Sequence, residues 1–100
     1  MTAFVVVVRR ATLDAAEIAA YLSKARAASI GHPLTIRVFQ GRHKVLEGPE
    51  IESIVILEFP SFEDAEHWYD TPAYREALSH RLRGGDYSAV IVDGDIPEQH

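Results

Sequence analysis

Arg81 occupies a position where an arginine is unexpected. Helical spacing over 72–82 puts Tyr74, Ala77, Leu78 and Arg81 on one stripe, so the guanidinium shares a face with Leu78 and should lie against the protein body. A guanidinium held there wants a carboxylate. Glu58, at the end of an apolar strand, and Glu47, on the approach to it, are the candidates. Such a pair would clamp helix to sheet; alternatively the long side chain reaches round to solvent. A sharper reading makes Arg81 the anchor for an anionic ligand in a pocket walled by Trp68 and Tyr74. Trp68, Tyr69 and Tyr74 cluster in sequence, either as core with hydroxyls satisfied at the rim or as an aromatic wall for a planar organic ligand. The Tyr74 hydroxyl can also serve as a hydrogen-bond donor or acid.

Other chemistries find little footing. The histidines His32, His43, His67, His80 and His100 form no HExxH pair, and none makes a strong metal site. We therefore expect no metal and no cofactor. His43 is the most interesting, because the turn QGRHK sets it between Arg42 and Lys44, where it can approach a partner subunit or a pocket mouth. There is no cysteine, hence no disulfide or thiolate chemistry. No GxSxG elbow, Walker loop or GxGxxG occurs. Ser61 reads as a helix cap, and Glu63 and Asp64 sit in the first turn behind it, where negative charge suits the dipole.

The elements that must position these residues follow from apolar patterning. Ala3 to Val8 is rich in β-branched residues and lacks polar alternation, so it predicts a strand covered on both faces. Asp14 with Glu17 has capping-box spacing, and Ala15, Ile18, Leu22, Ala25 and Ser29 form a helical stripe ending near Gly31 and Pro33. Residues 34–39 alternate as a strand nearer an edge; Val45 and Leu46 suggest a short extended piece. Residues 53–59 form a third strand, again apolar on both sides. A broken helix follows over 61–70 and 72–82, with Thr71 as N-cap and Pro72 as first helical residue. Gly84 and Gly85 end it, 88–92 is the fourth strand, and 93–100 is a polar tail.

This β-α-β-β-α-β order is the ferredoxin-like α+β plan: a four-stranded antiparallel sheet with two helices on one face. The first and third strands should be central neighbours. Helices on one side leave the other side apolar and bare, which a second copy would cover, giving a dimeric α/β barrel. One hundred residues suit one domain over 1–100. A net charge of −5 argues against nucleic-acid binding, and no apolar run is long enough to span a bilayer. A soluble, cytoplasmic homodimer without nucleic-acid or membrane partners is expected, with a small organic ligand as its partner if the pocket is functional.

The run ILEFPSFEDAEHWYDTPAYREALSHR resembles the signature of the DUF1330 family, within the dimeric α/β-barrel superfamily. Gly41, Glu47-Gly48 and the closing Val92-Asp93-Gly94 support it. The chain departs from that pattern at His32, where a second glycine is usual, and at Thr71, where serine is usual. The resemblance implies the ferredoxin-like fold and a homodimer, and it makes Glu47 a candidate pocket acid or base. It implies no activity. Superfamily relatives include cofactor-independent oxygenases, isomerases and haem-handling proteins, an analogy at the level of fold alone. Two readings stand: a small-molecule-binding protein, with or without cofactor-independent catalysis, in which Arg81, Trp68, Tyr69 and His43 meet the ligand and Glu47 and Tyr74 move protons; or a non-catalytic dimerisation module.

Overall fold

A computed structural model describes residues 2–94. The elements are β1 (Ala3–Thr12), α1 (Ala15–Ala28), β2 (Thr35–Phe39), β3 (Ser53–Phe59), α2 (Phe62–Tyr69), α3 (Pro72–Gly84) and β4 (Gly85–Asp93). The strands form one antiparallel sheet in the order β2-β3-β1-β4, with β1 and β3 side by side at its centre. The architecture is α+β, as the patterning predicts. The second helix is two helices, because Thr71 caps a fresh start: its hydroxyl accepts from the Tyr74 amide and Pro72 needs no amide partner.

Several boundaries differ from expectation. β1 runs on to Thr12 and β4 begins at Gly85, since the two continue to pair through a bulge between Arg9 and Ala11. Val45 and Leu46 form no strand. Asp93, expected to open the tail, closes β4; 95–100 lie outside the described residues. Asp14 caps α1 as its spacing implies, accepting from the amides of Ala16 and Glu17. The box is not closed, however. The Asp14 amide donates to the Gly84 carbonyl, and Glu17 instead takes His80 at 2.7 Å and Arg83 at 3.4 Å. Gly84 is required by that crossing, for a Cβ there would stand 2.8 Å from the Ile18 side chain and 2.9 Å from its amide nitrogen.

Strand alternation divides the sheet into two unlike faces. Val5, Val7, Leu57 and Phe59 point toward the helices and join Tyr21, Trp68, Tyr74 and Leu78 in the core. On the other side the register lines up Val38, Ile56, Val6 and Val90 in one apolar row across all four strands. Val90 and Val92 are 56% and 47% exposed there, and no helix of the chain covers them. Among the described residues no helix is long and apolar enough to cross a membrane.

Candidate functional site

Arg81 is 4% exposed, so the helical stripe placed it correctly against the body. Its expected partner is not there. Glu58 binds Arg37 at 2.6 Å on the opposite face of the sheet, since its parity in β3 is opposite to that of Leu57 and Phe59. Glu47 is exposed in the segment between β2 and β3. Among the described residues no carboxylate reaches Arg81, and its Nε and Nη1 have no hydrogen-bond partner. Aromatic rings surround it instead. The guanidinium carbon lies 5.5 Å from the ring centre of Tyr21 and 5.3 Å from that of Tyr87. Nη2 stands 3.5 Å from the Tyr69 hydroxyl, long for a hydrogen bond. Tyr21 and Tyr74 share a hydrogen bond of 2.8 Å between their hydroxyls. Three tyrosines thus meet one cation, and the fourth, Tyr74, is linked to it through Tyr21. Burial pushes the Tyr74 hydroxyl far above the usual phenol range and raises that of Tyr21. Both remain protonated donors, and neither supplies a negative charge.

A cavity of about 310 Å³ lies beside this cluster, between α1 and the β2–β3 side of the sheet. Trp68, Tyr21 and Tyr87 form its inner wall, with Leu57 and Val55 below. Ile36 and Phe39, 58% and 50% exposed, form the outer wall where the sheet edge extends past the helices. Trp68 is fixed in place: its indole N–H donates to the Ser29 hydroxyl at 3.2 Å, and that hydroxyl donates to the Ala25 carbonyl at 2.8 Å. Ser53, buried on β3, and Tyr87 bring further hydroxyls to the lining. Arg26 and Gln40 also line it, and among the described residues no carboxylate and no histidine does.

The structure therefore gathers Trp68, Tyr69, Tyr74 and Arg81, and leaves Glu47 and His43 apart. Trp68 lines the cavity as expected. Tyr74 does not: it is fully buried, packed 4.2 Å from Trp68 ring to ring, in filled core. Tyr69 is half-buried with Arg75 over its ring at 5.0 Å. His43 is exposed and bonds the Ile51 carbonyl at 3.0 Å, tying its loop together. Tyr21 and Tyr87 are the members that sequence reasoning missed. Tyr21 follows Ile18 by three and precedes Ala25 by four, so helical spacing puts it beside the α1 stripe, which does not include it; Tyr87 shares the parity of Ala89 and Ile91 but precedes the expected start of β4.

A family model, the domain of unknown function DUF1330, matches residues 2–95. This chain belongs to that family. No curated protein matches it. Among solved structures, a protein of unknown function from Rhodopseudomonas palustris superposes with a TM-score of 0.76 at 22% identity, over 96% of this chain and 84% of its own. A dimeric ferredoxin-like protein of unknown function from Bacteroides fragilis gives 0.66 at 12% identity, over 92% of this chain and 95% of its own. Another from Thermobifida fusca gives 0.62 at 16%, over 93% and 91%. At these identities the likeness shows the ferredoxin-like fold.

Proposed function

We propose that this DUF1330 protein is a homodimer that binds a flat, largely apolar small molecule in the cavity under α1. The observation that carries the reading is the cavity itself. Its volume of about 310 Å³ suits a small ring compound, and its lining is mostly apolar with a few placed hydroxyls, Gln40 and the exposed Arg26, the usual make-up of a ligand site. The lining offers no group that titrates near neutral pH, so binding and orientation are what these residues can do. The dimer rests on the bare row of Val38, Ile56, Val6 and Val90, and on the dimeric neighbours from B. fragilis and T. fusca. Closing two such sheets together would bury on the order of 2,000 Å² in total.

Calorimetric titration with neutral ring compounds such as indole and benzamide tests the pocket. Binding should occur in the wild type and disappear in Ala25→Phe, which fills the cavity from α1. Equal binding by that variant would place the ligand elsewhere. Light scattering at micromolar concentration should return twice the chain mass; a monomer would remove the sheet-to-sheet assembly.

A further inference from the structure

Resting on that pocket reading, we infer that the ligand is an acid, and that its carboxylate is the missing counter-charge of Arg81. The guanidinium is 4% exposed, yet three of its five N–H bonds, one on Nε and two on Nη1, meet no acceptor among the described residues. A buried cation is costly unless paired and hydrogen-bonded. The rings of Tyr21 and Tyr87 recover part of that cost through their π faces and the Tyr69 hydroxyl adds a long contact, but among the described residues no carboxylate supplies the rest. The Tyr21 and Tyr74 hydroxyls cannot become the anion, because burial keeps them protonated.

The position of the two rings connects the charge to the cavity. Tyr21 and Tyr87 both line the cavity and both hold their rings against Arg81, so the guanidinium sits directly behind two residues of its wall. Tyr21 is tied to Tyr74 through its hydroxyl, whereas Tyr87, half-buried on β4, has no such tie. Turning the Tyr87 ring aside exchanges a cation–π contact for charge-assisted hydrogen bonds, which are the stronger interaction. Arg26 also lines the cavity but is exposed, so in the core the buried guanidinium of Arg81 balances one negative charge. A monoanionic carboxylate on a flat apolar body fits that charge and the apolar lining together, whereas a phosphate dianion would carry unbalanced charge into the core.

The experiment compares benzoate with benzamide, its neutral isostere, and with inorganic phosphate, on the wild-type protein and on Arg81→Met. In the wild type, benzoate should bind at least about tenfold more tightly than benzamide and raise the melting temperature, with phosphate having less effect than benzoate. Arg81→Met should lose that preference, keep its benzamide affinity, and melt no lower than wild type without ligand, since it removes a lone buried charge. Should the variant fail to fold, NMR on wild type reads the same point: benzoate, and not benzamide, should shift the Arg81 Nε–H resonance. Equal affinity for acid and amide overturns the counter-charge and leaves the pocket standing. Phosphate acting as strongly as benzoate overturns the carboxylate class. A destabilised Arg81→Met that still prefers benzoate makes Arg81 structural. Failure of acid and amide alike removes the pocket reading with it.

Discussion

Two arginines on opposite sides of the same sheet meet opposite fates. Arg37 reaches Glu58 at 2.6 Å on the open face, and its side chain remains 55% exposed. Arg81 is sealed on the helix face, flanked by tyrosine rings and with no carboxylate among the described residues. The pair in water is neutralised but weakly held, since solvent screens it and both side chains lose freedom. The buried arginine lies where each charge interaction counts for more, and it lacks its partner. The open face thus has its charges matched and its apolar row bare, while the helix face has its apolar surface packed and a charge unmatched. Each face is incomplete in the property that the other satisfies.

The sharpest division between the faces comes from truncation in the packed one. Trp68→Ala should cost about 3–5 kcal/mol in urea unfolding, as for large aromatic deletions in cores, because Trp68 is only 2% exposed against Phe59 and Tyr74. A cost near zero would mean that the helix face is not the core. On the open face, Val90→Glu should weaken self-association by about 100-fold, roughly 2.7 kcal/mol, and leave each subunit folded. Sedimentation equilibrium reads the first effect and circular dichroism the second; an unchanged dimer would move the interface off this sheet.

Smaller changes refine the contrast. Tyr74→Phe should destabilise by about 1–2 kcal/mol, for it leaves the buried Tyr21 hydroxyl without its partner. Arg37→Ala, by contrast, should change the stability of the isolated subunit by less than about 1 kcal/mol. A larger loss from Arg37 than from Tyr74 would reverse the assignment of strong and weak faces. The least effect concerns acid. A hydrogen bond with His80 holds the Glu17 carboxyl below its ordinary value, so the folded chain binds fewer protons there than the unfolded one. Its contribution is complete above the usual glutamate range and is lost as pH falls through the lower folded value. Glu17→Gln should accordingly flatten the acid limb of a stability–pH curve and leave the neutral region flat.

Much of the fold was legible because it is local. The caps at Asp14, Ser61 and Thr71 use a side chain and an amide two or three positions apart, and each formed as its spacing implied. The apolar runs of β1 and β3 announced central strands. The same patterning missed the start of β4, where Gly85 and Asp86 give no apolar signal and the chain is extended because β1 pairs with it. The site was legible in part: the stripe from Tyr74 to Arg81 correctly buried the arginine. What it could not supply was the direction in which Glu58 points, because a strand apolar on both sides does not reveal which parity meets the helices.

Sequence alone therefore determined the order of elements, their caps and the helix face that carries Arg81, for these depend on residues within a turn or two of one another. Tertiary structure decided the company that Arg81 keeps. Tyr21 comes from α1 and Tyr87 from β4, and only the packing of both helices on one side of the sheet brings their rings to the guanidinium. The same packing carried Glu58 to the far side, because consecutive residues of a strand must face opposite ways.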